Sequence, residues 1–503
     1  MSRLCLENLA SLPGSVSIPN YLKEHLKEHL KESNNPQLNH ELPGIGIVHL
    51  GMGQFARGHL AYYTDSVLQQ APGDWRIVGA SLRSDMARQQ LEPQDNLYTV
   101  TSQSSTETHI QVIGALAEVI SVQFSGRTTL LNHLISPSSR IVSLTITEKG
   151  YYQNAHGQLD LAHADIQTDL AHLEAPETAI GWIVLALKIR RDNGFPPFTA
   201  LSLDNLVGNG AVLKRMVLEY AQHSYPELVA YIKQRVSFPS TMVDRIVPAQ
   251  STASMAATAK QIGVEDHGCV HTEKFSQWVI EDDFVGGRPA WELAGVIFCD
   301  DVAPYEGMKL RLLNGAHSSI AYIGVLLGHG TVADCMNDLN VRAYIETLMR
   351  SEIQPTVSPP VGFDLDLYIE QLLDRFSNPN LHHRCEQIAM DGSQKIPQRL
   401  LPVLAARLKA GAAINHLVFS IAAWMVFVQQ HEPLLDPRSS ELKRLVLDAE
   451  PEQLAEALLG TDLFPATLQK STDFSAALVA TINAIIKRGP AAALSACCSD
   501  TLL

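Results

Sequence analysis

The rhythm of apolar and polar positions changes near residue 300. Between Gly44 and that point, short apolar runs stand apart with helical spacings between them. The runs are Ile45–Leu50, Trp75–Leu82, Ile141–Ile146, Phe198–Leu203 and Val296–Cys299, most of them bounded by Gly, Pro or Asp. Short continuous apolar runs of this kind predict strands buried on both faces, and strands alternating with helical segments predict a parallel sheet of βαβ units. After residue 300 the apolar positions recur with helical period. Met308–Leu327, Val341–Ser351, Leu365–Phe376, Ile396–Lys409, Asn415–Gln430 and Glu452–Leu459 all suit helices, with Pro402 a candidate kink in the fourth. The expected architecture is an α/β Rossmann-type N-terminal domain over residues 44–300 and a mainly α-helical C-terminal domain over 301–503. Residues 1–43 are expected to form a leader segment, divided by Pro13, Pro19, Pro36 and Pro43. Its KEHL repeat, residues 22–32, puts His25 and His29 four apart, but without a carboxylate pattern beside them they read as a solvated helical turn.

Composition narrows the function. The chain has 503 residues, 46% of them hydrophobic, and a net charge of -15. That is a folded chain whose acidic balance argues against nucleic-acid binding and against anionic membranes. The longest apolar stretch, Leu417 to Val428, is interrupted by Ser420 and is too short to span a bilayer. Seven cysteines, odd in number and never spaced as CxxC, fit a reduced, cytoplasmic setting with neither a disulfide framework nor a cysteine metal site.

Five groups of residues carry candidate chemistry. Gly51-Met52-Gly53-Gln54-Phe55-Ala56 has the form GxGxxA after one predicted strand and before a predicted helix. There Gly51 permits a tight turn and Gly53 lets the backbone approach a pyrophosphate, while the helix start offers N–H groups. Asp85 is the nearest candidate for the acidic residue that binds a ribose hydroxyl, although it also reads as a helix N-cap. Arg83 and Ser84 beside it leave NADP open as well as NAD. Lys309, Asn314 and His317 occupy one half of a helix among leucines. A partly desolvated lysine there has a lowered pKa and serves as a general base; Asn314 can donate to a developing alkoxide and His317 can orient a substrate. Taken singly, the three read equally as a snorkelling lysine, a bending or capping asparagine and a core histidine. Asp204-Asn205 ends a strand, where open α/β sheets bind ligands, or forms an Asx-turn. Met242-Val243-Asp244-Arg245 is a fourth group. His382-His383-Arg384 followed by Asp391-Gly392-Ser393-Gln394-Lys395 concentrates cations that suit an anion, or a solvated turn.

The stretches IVHLGMGQFARGH, SLTITEKGY, LSLDNLVGNG, FPSTMVDRIVP, the Lys309–His317 region and RFSNPNLHHRCEQIAMDGSQKIPQRLL together resemble the polyol-specific long-chain dehydrogenase/reductase family, the group of mannitol 2-dehydrogenases and fructuronate reductases. The resemblance runs in order from about residue 44 to about 430. It implies an NAD(P)-dependent, metal-independent enzyme with its active site between a Rossmann-type and a helical domain. It implies Lys309 as catalytic acid/base, Asn205 and Asn314 as the pair that polarises the carbonyl, and His317 as the substrate-orienting histidine. Asp244, Arg384 and Lys395 are expected to hold the substrate, with Arg399 a further candidate for a carboxylate, and Glu306 to tune proton exchange. Gly51, Met52, Gly53, Gln54, Phe55 and Arg57 fall on the cofactor loop, with Asp85 beyond it. Two positions depart from the family: Ala56 stands where a histidine is frequent, and Gln387 where some mannitol dehydrogenases carry arginine. TEKGY, VIEDDFVGGRP and HHRCEQIAMDGSQKIPQRLL are more similar to fructuronate reductases. NADH-dependent reduction of D-fructuronate to D-mannonate is the expected reaction, and interconversion of D-mannitol with D-fructose the alternative. The expected partner is the sugar-acid or polyol substrate alone, bound by a monomer or weak homo-oligomer.

Overall fold

The computed structural model describes residues 1–29, 42–154 and 156–499. The chain divides into two compact units, Met1–Ala303 and Pro304–Leu503.

Five strands form the central sheet of the first unit: β1 (Ile45–Leu50), β2 (Arg76–Ser81), β3 (Leu116–Ser121), β4 (Ile141–Leu144) and β5 (Thr199–Ser202). Their order is β3-β2-β1-β4-β5 and every neighbouring pair is parallel. This is the order of a dinucleotide-binding sheet, with the connection reversing direction between β1 and β4. Val48, Leu50, Val78, Val142, Leu144 and Ala200 face a helical layer built around Trp182 and Ile183, whereas Ile47, Ile77, Ile141 and Leu201 face a second layer holding Leu60, Tyr63 and Val67. Both faces of each strand are thus covered, which is why the strands read as unbroken apolar runs.

The apolar pattern does not show β3, and of two smaller sheets it shows one strand alone, the run Val296–Cys299. Val16–Ser17, Thr108–Ile113, Tyr98–Gln103 and Val270–Glu273 make a four-stranded sheet, and Ile297–Cys299, Gln277–Glu281 and Thr241–Asp244 a three-stranded one. The segment expected as a leader takes part in the first of these. Val16 and Ser17 pair with Ile110 and Gln111, and Leu4, Leu9, Leu12, Val16 and Leu22 close a small core with Val112 and Ile262. The Tyr21 hydroxyl donates to the buried Asp65 carboxylate. The rest of the KEHL repeat, from Leu30 on, lies outside the described residues.

The second unit is helical. Leu365–Phe376 and Asn415–Gln430 span the ranges the periodicity predicts. The helix expected over Ile396–Lys409 is two helices, Gly392–Arg399 and Leu401–Lys409, with Pro402 in the first turn of the second. Proline fits there because a first-turn N–H has no helical partner. Asn415–Gln430 is apolar all round and buried along most of its length, as a central helix must be. Its N-terminus is capped by the buried Glu352 carboxylate, which accepts from the main-chain N–H groups of His416 at 2.8 Å and Leu417 at 2.9 Å. Among the described residues no helix is long and apolar enough to cross a membrane.

A buried histidine in β1 makes the sheet sensitive to acid. His49 has no solvent exposure and lies opposite Gly79 and Ser143 on the flanking strands. Thr145 Oγ1 is 2.8 Å from Gly51 O, to which it can only donate, so His49 Nε2, 3.0 Å from Thr145 Oγ1, is the protonated nitrogen. His49 Nδ1 then accepts from Ser143 Oγ at 2.9 Å. Burial pushes the imidazole down to about 4. A histidine depressed in the fold stabilises it above the unfolded pKa and loses that contribution as pH falls toward the folded one. Between pH 7 and pH 5 His49 is expected to account for about 2 kcal/mol of lost stability. Urea unfolding at both pH values checks this: His49→Gln should lose about 2 kcal/mol less than the wild type over that interval.

Candidate active site

The loop after β1 is built around Gly51. Its φ is +96°, and a Cβ there would stand 2.1 Å from Thr145 O, so only glycine fits without displacing β4. Gly51 N and Met52 N both approach Ala80 O, at 2.7 and 3.2 Å, and Gly53 N donates to Gly51 O at 2.7 Å. Gly53, the N-cap of the helix Gln54–Gly58, is the opposite case. A Cβ there would meet nothing nearer than Gly51 O at 3.8 Å, leaving open space above the backbone. A tight turn followed by an uncrowded glycine at a helix start is what a pyrophosphate needs, so these residues fit a dinucleotide.

The side chains of the loop divide their tasks. Met52 is buried and turned down over Gly79. The Gln54 Oε1 atom is sealed from solvent with no hydrogen-bond partner among the described residues. Phe55 stacks on His59 with ring centroids 5.0 Å apart. Arg57, expected to serve the cofactor, turns inward instead. It is buried, donates from Nη1 to Gly268 O at 2.9 Å, and lies 5.9 Å from the Tyr98 ring, so it fastens the loop helix to the neighbouring sheet.

Asp85 follows β2 and occupies the N-cap position of Met86–Leu91, but its carboxylate makes no cap. It accepts from Arg88 Nε at 2.7 Å and Nη2 at 2.8 Å, and from Gln89 Nε2 at 2.8 Å. The Arg88 guanidinium holds it down to about 2, so it stays ionised. The nearby Arg83 pairs with Asp165 and reaches the Tyr152 hydroxyl at 2.8 Å.

At the far side of the sheet Asp204 ties two strand ends together. Its carboxylate accepts from Ile146 N at 3.0 Å, Thr147 N at 2.8 Å and the Tyr151 hydroxyl at 2.8 Å. Thr147 has a φ of +62°, rare for a β-branched residue, and its N–H is held by Asp204. The next residue, Asn205, is exposed at the carboxyl end of β5. The buried Asn209 links this turn to the adjoining strand, donating to Asp204 O at 2.9 Å and accepting from Thr241 N at 2.9 Å. Asp244, buried, ends that strand. Its neighbour Arg245 is structural: it is buried, and donates to Gly58 O at 2.6 Å and Ser102 Oγ at 2.9 Å.

In the second unit, Ala303–Met308 and Gly315–Leu327 flank a π-helical turn over Lys309–Asn314. On an α-helix Lys309 and Asn314 would be about 140° apart. An i→i+5 turn stacks residues five apart, so here they share a face; π turns of this sort are frequent at functional sites. Lys309 is buried, Glu306 stands partly buried three residues ahead, and His317 is buried one turn beyond Asn314. The His317 ring lies 4.6 Å from Phe376 and 5.2 Å, edge-on, from His383. Its Nε2 is buried with no hydrogen-bond partner among the described residues. Burial keeps this imidazole well below the usual histidine range, and His383, Arg375, Arg399 and Lys309 push it the same way. Arg399 donates to Ser318 Oγ at 3.0 Å and Asn314 O at 3.4 Å, bracing the π turn. Lys395 donates to Ile388 O at 3.2 Å, and burial and Lys395 press His383 down to about 4. The helical unit therefore gathers Lys309, Arg375, Lys395 and Arg399 around two neutral imidazoles.

Two family models cover most of the chain: the mannitol dehydrogenase Rossmann domain over residues 45–293 and the mannitol dehydrogenase C-terminal domain over 301–486. The chain belongs to the mannitol dehydrogenase family. It is an oxidoreductase of that family. It is 42% identical to D-mannonate oxidoreductase of Escherichia coli strain K12, over 90% of this chain and 96% of the relative. It is 36% identical to mannitol 2-dehydrogenase of Phaeosphaeria nodorum, over 92% of this chain and 84% of the relative. The solved ternary complex of Pseudomonas fluorescens mannitol 2-dehydrogenase with NAD and D-mannitol matches with a TM-score of 0.84 at 37% identity, covering 98% of this chain and 99% of that one.

Within this mannitol dehydrogenase scaffold one expected substrate cation lies at the surface. Arg384 stands in solvent with its side chain 67% exposed and paired with Glu386. Arg384 is the N-cap of the helix Cys385–Ala389, in extended backbone; its side chain is exposed, whereas His383 before it is half-buried and Cys385 after it is buried. Arg375 is among the cations that act on His317. It is buried beside Phe376, and only its place in the RFSNP stretch could have signalled it.

Proposed function

We propose that this chain reduces D-fructuronate to D-mannonate, reversibly, with NADH. Reduction needs a hydride at the carbonyl carbon and a proton at its oxygen. NADH, when held by Gly51, Gly53 and the start of the helix Gln54–Gly58, would supply the hydride and leave as NAD, with Asp85 accepting from a ribose hydroxyl. Lys309 gives the proton to the carbonyl oxygen in reduction and takes it back in oxidation. Asn205 and Asn314 donate hydrogen bonds to that oxygen as charge develops on it. His317, neutral through burial, orients the substrate by hydrogen bonding, and Asp244 accepts from its hydroxyls. Glu306 exchanges the lysine proton with water.

The observation that carries the ketouronate reading is the cationic surround of His317. A carboxylate is best held by guanidinium and ammonium groups, and Arg375, Lys395 and Arg399 concentrate them in a chain whose net charge is -15. The 42% identity to D-mannonate oxidoreductase supports the same substrate, whereas the likeness to a mannitol 2-dehydrogenase bound to D-mannitol favours a neutral ketose. NADH oxidation with D-fructuronate and with D-fructose separates the two, and a kcat/KM for fructuronate about a hundredfold the higher is expected.

A further inference from the structure

His383 lies outside the roles assigned so far, yet its placement is specific. The extended segment that carries it is pinned by main-chain hydrogen bonds: Val332 N donates to His383 O at 3.0 Å and Cys385 N donates to Gly330 O at 3.1 Å. These bonds send His383 inward beside His317, with ring centroids 5.2 Å apart. His383 Nδ1 is closed to solvent and has no hydrogen-bond partner among the described residues, as is true of His317 Nε2. Two adjacent imidazoles with one unpartnered buried nitrogen each are costly unless a ligand completes them.

We propose that His383 is a second substrate-binding imidazole, whose Nδ1–H donates to the carboxylate end of a ketouronate while Lys395 supplies the opposing charge. The inference rests on the ketouronate reading above and gives that reading a specificity-determining residue. His383 acts as a hydrogen-bond donor and not as a charge, since burial and Lys395 keep it neutral near pH 7. A ketose bearing a hydroxymethyl group at the same end makes a weaker bond there, because bonds to ionised partners are about twice as strong.

The test compares kcat/KM for D-fructuronate and D-fructose in the wild type, His383→Phe and His383→Asn. Phenylalanine keeps the ring packing against His317 and removes the nitrogens; asparagine restores a donor near the Nδ1 position. His383→Phe should lower the fructuronate value by about tenfold or more and the fructose value by less than about threefold. His383→Asn should stay within about threefold of the wild type on both. If His383→Phe does not fold, His383→Gln replaces it, since its amide lies nearer the Nε2 position and should not rescue. A merely structural role would change both substrates alike. A wild type that prefers fructuronate and keeps that preference in His383→Phe overturns this inference alone. A wild type with no preference for fructuronate overturns the ketouronate reading and this inference with it.

Discussion

Lys309→Ala should lower kcat for ketone reduction by about a hundred- to ten-thousandfold, the range that a positioned general acid contributes. Lys309 opens the π turn and is buried, so its ammonium is held in a setting with little competing water. Asn314, on the same face, can still polarise a carbonyl after the lysine is gone, and that residual electrostatic help keeps the variant above the uncatalysed rate. The loss should fall on kcat more than on KM, because the proton moves only in the transition state. NADH affinity, measured by fluorescence titration, should stay within about threefold of the wild type, since the loop at Gly51 makes no use of the lysine. Near-wild-type turnover in a folded Lys309→Ala protein would remove Lys309 as the acid.

The second large effect is expected at the two loop glycines, and they should behave differently. Gly53→Ala adds a methyl group into open space, with Gly51 O at 3.8 Å its nearest neighbour and with φ at -103°, which alanine adopts freely. The melting temperature should therefore be unchanged, while NADH binding weakens by about tenfold or more because the methyl occupies the approach a pyrophosphate needs. Gly51→Ala forces a left-handed φ of +96° on alanine and drives its Cβ against Thr145 O. Strain of about 1–3 kcal/mol, plus displacement of the Thr145 carbonyl, should lower the melting temperature as well as NADH affinity. Unaltered NADH binding by Gly53→Ala would place the dinucleotide elsewhere.

Much of this could be read from the chain because burial on both faces writes itself into sequence. β1, β2, β4 and β5 are continuous apolar runs, and each was legible. β3, Leu116–Ser121, carries Glu118 in its middle, a charge that interrupts the pattern. The strand Thr108–Ile113, between Val16–Ser17 and Tyr98–Gln103, begins with exposed polar residues and is equally hard to see. The prolines of the N-terminal segment suggest breaks and a leader, whereas Leu9 and Leu12 before Pro13, Val16 after it and Leu22 after Pro19 share one small core. In the helical unit the Lys309, Asn314 and His317 trio was visible, but α periodicity gave the wrong angular relation, and a π turn leaves no clear mark in composition. Arg384 and Arg375 show the remaining limit. Sequence counts cations in a neighbourhood, but only the fold shows that His383 lies against His317 while Arg384 stands in solvent. His49 was hidden in an apolar run, and its hydrogen bonds to Ser143 and Thr145 appear only once β1 and β4 are paired.

The cations around His317 are proposed to make this member of the mannitol dehydrogenase family a reductase of a carboxylate-bearing ketose. The most direct test is kcat/KM for NADH oxidation by the purified protein with D-fructuronate and D-fructose under matched conditions. A ratio of about a hundred or more in favour of fructuronate, equivalent to about 2.7 kcal/mol of carboxylate-dependent transition-state binding, is the predicted result. Equal values, or a preference for fructose, would contradict it and leave Arg375, Lys395 and Arg399 as braces of the helical unit around a polyol site.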